Sequence, residues 1–170
     1  KEYEERDYSQ LDQEEGFKIF LFHTAINEFK PQGLEQMPGA RAASLPKKFN
    51  YYAGGHVHYV FQKEFGEGWL TYPGALFPNN FREIEEWKHG GVYIVDSEAR
   101  WEYVPIKLKE VCCLKIEVGG LSPEAATQKI IQEVKQREVR DKIVTLRVEG
   151  EVEGKCGDIN FQEVMLYLKD

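Results

Sequence analysis

The spacing of apolar and polar positions along the 170-residue chain changes several times, and each change predicts a different element. Residues 1 to about 15 are charged, with Tyr3, Tyr8 and Leu11 as sparse apolar groups, which predicts a solvated helix stopped by Gly16. Phe17-Lys18-Ile19-Phe20-Leu21-Phe22 is a nearly continuous apolar run, the pattern of a strand buried on both faces, and His23 sits at its carboxyl end. Residues 24 to 48 have no clean period and contain Pro31, Gly33, Pro38, Gly39 and Pro46, so they predict a long excursion with one short helix around Gly39 to Leu45. Excursions of this length are often functional. Tyr51-Tyr52-Ala53 predicts a second short buried strand. Alternating strands follow near Val57 to Lys63 and Trp69 to Tyr72, then a turn at Tyr72-Pro73-Gly74-Ala75-Leu76. Gly91 to Val95 and Trp101 to Val104, with Asp96-Ser97-Glu98 between them, predict a hairpin.

After about residue 106 the pattern becomes β-α-β. Val111 to Val118 reads as a strand and Gly119-Gly120 as a turn. Ser122-Pro123-Glu124 reads as a helix start, with serine at the N-cap and proline in the first turn. A helix to about Gln136 follows, with Ala126, Ile130, Ile131 and Val134 on one side. Ile143 to Val148 alternates as a strand, and Ile159 to Leu168 predicts a last helix. The fold class is α/β in two domains, 1–105 and 106–170.

Composition narrows the function classes. With 42% hydrophobic and 13% aromatic residues the chain has enough apolar material for a core. No apolar run approaches the length that crosses a bilayer, and the charged opening Lys1-Glu2-Tyr3-Glu4-Glu5-Arg6-Asp7 does not resemble a signal peptide, so a cytoplasmic protein is expected. Three cysteines, two of them adjacent at 112 and 113, do not form a disulfide framework and are expected as small core residues. A net charge of -7 opposes sequence-independent attraction to nucleic acid, so any DNA contact is local or depends on bound cations. The chain starts at Lys1 and its only methionines are Met37 and Met165, which suggests a piece of a longer polypeptide.

Chemistry concentrates at Gly55-His56-Val57-His58. Side chains two apart on extended backbone share a face. Neutral imidazoles are ligands for manganese, iron or zinc, and a preceding glycine lets backbone approach without a Cβ in the way. His23 ends another apolar strand, where ligand groups gather in layered α/β folds, so His23, His56 and His58 together predict a metal site. His89 lies in a polar turn and is expected at the surface. Lys47 and Lys48, with Arg41 nearby, read as solvated surface in preference to phosphate contacts. Asn79-Asn80-Phe81-Arg82 reads equally as a substrate groove or as capping and turn chemistry. Tyr51, Tyr52, Tyr59 and Phe61 read as core or cross-strand pairs in preference to base-stacking platforms.

Phe20-Leu21-Phe22-His23, Leu45-Pro46, Tyr51-Tyr52-Ala53, Gly55-His56-Val57-His58 and Tyr72-Pro73-Gly74 resemble the motifs of the calcineurin-type metallophosphoesterases. Within that family the chain is most similar to the nucleases of DNA double-strand-break repair, archaeal type. Gly120-Leu121-Ser122-Pro123-Glu124, Asp141-Lys142-Ile143-Val144, Arg147-Val148-Glu149-Gly150 and Asp158-Ile159-Asn160-Phe161 look like their DNA-capping domain. The resemblance spans residue 16 to the end. It implies the C-terminal half of a four-layer αββα metallophosphoesterase sandwich plus a small α/β capping domain. It also implies two manganese ions, with His23 and His56 on one metal and His58 on its neighbour. Exonuclease and endonuclease hydrolysis of DNA is implied in the intact protein, together with a coiled-coil repair ATPase of the SMC type as partner and a homodimer built through helices of the first half.

The family's remaining ligands have no counterpart. No Asp-x-His or Asn-His pair occurs, and the one Gly-Asp, Gly157-Asp158, lies in the presumed capping module. The isolated chain is therefore expected to hold metal weakly and to be inactive. Gly54 departs from the apolar residue usual before the Gly-His and is expected to loosen packing behind the site. A metallophosphatase of small phosphoesters and a non-catalytic DNA- or protein-binding module are the alternatives.

Overall fold

A computed structural model describes residue 3 and residues 5–168. The chain packs as two units, Lys1–Phe77 with Gly90–Ile106, and Pro78–His89 with Lys107–Asp170. Both mix helix with sheet. Among the described residues no helix is long and apolar enough to cross a membrane.

The helix expected over residues 1 to about 15 is a single turn, α1 (Ser9–Gln13), with Glu14 already extended. None of its residues is buried, so no packing supports a longer helix whose intrinsic propensity is marginal at this length. Lys1, Glu2 and Glu4 lie outside the described residues.

The first unit is built on strands β1 (Ile19–His23), β4 (Tyr51–Gly55), β5 (Val60–Phe65) and β6 (Gly68–Pro73), joined in the order β1-β4-β6-β5. β1, β4 and β6 run parallel, and β5 returns antiparallel to β6. Register sets Phe22 opposite Gly54 and His23 opposite Gly55. Alternation then sends Phe20, Phe22, Tyr52, Leu70 and Tyr72 to one face, where they form a layer of interlocking rings.

The excursion over 24–48 closes this layer. Its two-residue strands β2 (Ala25–Ile26) and β3 (Gly39–Ala40) pair in parallel, and Ala25, Ile26, Ala40 and Leu45 are buried in the same core. In place of the expected helix around Gly39 to Leu45 there is one 3-10 turn at Ala42–Ser44. The Tyr52 hydroxyl donates to the Pro46 carbonyl at 2.9 Å, tying the returning segment to the middle of the sheet.

The strand expected to be buried on both faces is buried on one. Ile19 and Leu21 are 48% and 76% exposed, whereas Phe22 is 5% exposed. β1 is the edge of its sheet, and the hairpin β7 (Gly90–Val95) with β8 (Trp101–Ile106) covers the second face mainly beside β6, where Trp101 meets Trp69 edge-on at 5.3 Å. Asp96 closes that hairpin by accepting from the Glu98 and Arg100 backbone amides.

In the second unit β9 (Val111–Glu117) and β10 (Ile143–Glu149) pair in parallel through α3 (Pro123–Lys135), as the β-α-β pattern predicts. Ser122 caps α3 by accepting from the Ala125 amide, and Ala126, Ile130, Ile131 and Val134 pack on Leu114 and Ile116. The last helix, α4 (Phe161–Leu166), is shorter than expected and is capped by Asn160. A helix absent from the pattern reading, α2 (Phe81–Trp87), also belongs to this unit, and its Glu85 accepts from Arg147 of β10 at 2.6 Å. The cysteines depart from expectation. Cys112 is half-buried, but Cys113 and Cys156 are exposed, because alternation along β9 turns Cys113 away from the face that meets α3 and Cys156 lies in a 3-10 turn.

Burial pushes the phenol of Tyr52 up to about 12, and burial raises Tyr51 and Tyr72 as well. The folded state thus holds protons that the unfolded chain releases near the ordinary value of 10, and its stability falls as pH rises from there through about 12. We expect a urea midpoint that holds between about pH 7 and 9 and drops steeply above pH 10, with tyrosinate absorbance rising together with unfolding.

Candidate metal centre

The candidate site stands where two adjacent parallel strands end. β1 delivers His23 and β4 ends at Gly55, directly opposite it. A Cβ at Gly55 would lie 2.7 Å from His23 Nδ1, so the missing side chain is what allows the imidazole to fold across the end of β4. The His23 amide donates to the Tyr3 hydroxyl at 3.1 Å.

His56 reaches the same place by a different device. On continued extended backbone its ring would point to the face opposite His23, because alternate residues alternate faces. Instead His56 has a φ of 82°, in the left-handed region, and the two ring centres are 5.4 Å apart at an interplanar angle of 71°. Such a conformation costs a non-glycine residue about 1–3 kcal/mol, and residues of this kind cluster at ligand sites. Both rings are exposed to incoming ligands.

His58 is not on a strand with His56. The two lie in the segment between β4 and β5, separated by the buried Val57, and the turn at His56 removes the alternation that would have put them on one face. Among the described residues no group of three His, Cys, Asp or Glu side chains is placed to hold a cation. The structure therefore brings His23 and His56 together and leaves His58 outside any such group.

Imidazole is a ligand for zinc, copper, iron and nickel and also serves manganese. Two donors alone make a weak site, and the remaining positions need oxygen or nitrogen from elsewhere.

The other candidates have structural roles. Lys47 donates to the Ala42 carbonyl at 3.0 Å and lies 3.8 Å over the Phe65 ring, and burial lowers its pKa below the ordinary lysine value. The Lys48 amide donates to Asp12. The Arg41 carbonyl accepts from Ser44, closing the 3-10 turn. Asn80 caps α2 by accepting from the Glu83 amide, and the Asn79 amide donates to Glu83. Tyr51 bonds Thr71 through its hydroxyl, and Tyr59 and Phe61 pack edge-on against each other. His89 is half-buried in the turn after α2.

Gly54 works opposite to expectation. A Cβ there would lie 2.3 Å from Tyr72 Cε1 and 2.8 Å from Phe22 Cζ, so the glycine tightens the packing behind the site. Pattern reading missed Tyr72 and Tyr3 as neighbours of the site. The signal for Tyr72 was the Gly54-Gly55 pair, since two successive residues without side chains in a buried strand mark a place where something large comes close.

No family model matches the chain. It is similar to archaeal proteins named DNA double-strand break repair protein Mre11. The Methanococcus maripaludis protein is 31% identical over 100 residues, covering 56% of this chain and 26% of the relative. The Methanocaldococcus jannaschii protein is 36% identical over 81 residues, covering 46% of this chain and 21% of the relative. The Sulfolobus acidocaldarius protein is 28% identical over 141 residues, covering 78% of this chain and 35% of the relative. The chain thus spans between 21% and 35% of the length of these curated relatives.

If the left-handed backbone at His56 is held in place by the fold, His56→Gly will be more stable than His56→Ala by about 1 kcal/mol, since only glycine takes that conformation without cost. Urea denaturation of the two variants measures the difference, and equal midpoints would show that the conformation carries no strain.

Proposed function

We propose that this chain is the C-terminal part of a manganese-dependent nuclease of DNA double-strand-break repair, comprising half of a four-layer αββα metallophosphoesterase sandwich and, over 106–170, a DNA-capping domain. The observation that carries the reading is the His23–His56 pair, 5.4 Å apart across Gly55 at the ends of two parallel strands. The likeness to the archaeal Mre11 repair proteins supports it.

In this reading His23 and His56 hold one manganese ion and His58 its neighbour, in the intact protein. Such ions, when bound, would lower the pKa of a water and neutralise charge on the departing oxygen of the phosphodiester. This chain's own part is to fix imidazole direction. Gly55 makes room for one ring, and the backbone turn at His56 aims the other. The carboxylates that would complete both positions lie in the family's first half, which no residue here replaces. Among the described residues no acidic side chain completes a group of three donors with the imidazoles.

The open face of β1 supports the sandwich. Ile19, Leu21 and His23 share it, and a hollow of about 610 Å³ lined by Leu21, Ala53, Tyr51 and Tyr93 runs beside them. An apolar sheet face that ends in ligand groups is what a second sheet carrying the missing carboxylates would cover. The coiled-coil repair ATPase and a homodimer belong to the intact assembly. One observation favours a non-catalytic binding module instead, namely that no third donor joins the two imidazoles among the described residues.

The isolated chain is expected not to cut DNA with manganese, and strong exonuclease activity from it would overturn the requirement for outside ligands. In the full-length polypeptide, His58→Ala is expected to lower manganese-dependent cleavage by about a hundredfold or more, since even second-shell partners of metal ligands cost about 10–100-fold, while DNA binding is retained. Unchanged cleavage would overturn the role of His58 as a metal ligand in catalysis. Cleavage confined to small phosphoesters would identify a metallophosphatase.

A further inference from the structure

We infer that Tyr72 is a positioning residue for the imidazole pair, its hydroxyl reaching over Gly54 to hold the chain immediately beyond His23. The inference rests on the reading of His23 and His56 as metal ligands, and it concerns how their spacing is set.

Tyr72 lies on β6, and β4 stands between β6 and β1. An ordinary side chain on β4 would block the way, since a Cβ at Gly54 would sit 2.3 Å and 2.6 Å from two carbons of the Tyr72 ring. The glycine opens a passage, and the fully buried ring uses it to reach β1. There it meets Phe22, the residue before His23, edge-on at 5.6 Å, and its hydroxyl donates to the carbonyl of Thr24, the residue after His23, at 2.9 Å. His23 is therefore bracketed on both sides by one side chain. Thr24 belongs to neither β1 nor β2, so no strand ladder fixes it.

Rotation of the peptides around residue 24 would swing the His23 ring away from His56, which has its own fixed direction from the left-handed turn. The hydroxyl bond resists that rotation from a part of the sheet on the far side of β4. Ring packing alone would hold Phe22, but it would leave the Thr24 carbonyl free to turn.

The test compares Tyr72→Phe with Tyr52→Phe. Tyr52 is equally buried in the same core, and its hydroxyl bonds the Pro46 carbonyl, away from the imidazoles. Two readouts apply to the full chain, the nuclear Overhauser contact between the His23 and His56 rings without metal, and the affinity and visible absorption of cobalt(II) added as probe. Tyr72→Phe is expected to weaken the ring-to-ring contact, lower cobalt affinity about fivefold, the equivalent of one hydrogen bond, and alter the absorption bands. Tyr52→Phe is expected to lower stability alone. An unchanged ring contact in Tyr72→Phe, an equal change in both variants, or a Tyr72→Phe chain that fails to fold would each overturn the positioning role. If the unaltered chain binds no cobalt, two imidazoles without outside ligands do not suffice to hold it, and the ring contact alone decides the role of Tyr72.

Discussion

The first unit depends on how closely side chains approach the backbone of β4 at Gly54 and Gly55. Two successive residues without Cβ atoms leave a slot on each face of the same strand. On one face Tyr72 crosses through the slot to Phe22 and Thr24, and on the other the His23 ring folds over Gly55. Neither approach survives a methyl group, because the contacts would fall to 2.3 Å and 2.7 Å. The packing of the core and the direction of a candidate ligand are thus coupled through a single dipeptide.

Strain and exposure gather around the same point. His56 is held in a left-handed conformation, β1 turns an apolar face outward, and no third donor completes the imidazole pair among the described residues. In natural proteins such local conflicts concentrate where function is. The chain spans at most 35% of the length of the curated relatives it matches.

The second unit is stabilised by ordinary means. Ser122 and Asn160 cap their helices, the apolar side of α3 lies on Leu114 and Ile116, and α2 supplies Glu85 to Arg147. That last ion pair is at the surface and contributes little by itself. The more consequential fact is that α2, drawn from residues between two strands of the first unit, packs with the second. The polypeptide therefore passes between the units three times, with segments 78–89 and 90–106 each committed to a different core.

Local chemistry was legible in the residues themselves. Serine followed by proline marked the start of α3, alternation marked β9 and β10, and Gly-His with a histidine ending another strand marked where His23 and His56 meet, because caps, alternation and glycine steric freedom act within a few residues. The tertiary structure alone decided three things. β1 is covered on one side only, since burial depends on which strand lies at the edge. Gly54 tightens its surroundings, since its neighbour Tyr72 comes from a strand eighteen residues away. His56 meets His23 while His58, among the described residues, stays outside a three-donor group, since a single backbone turn cancels the alternation on which a shared face depends. Periodicity describes one strand at a time, whereas coordination and close packing are set by atoms that only folding brings together.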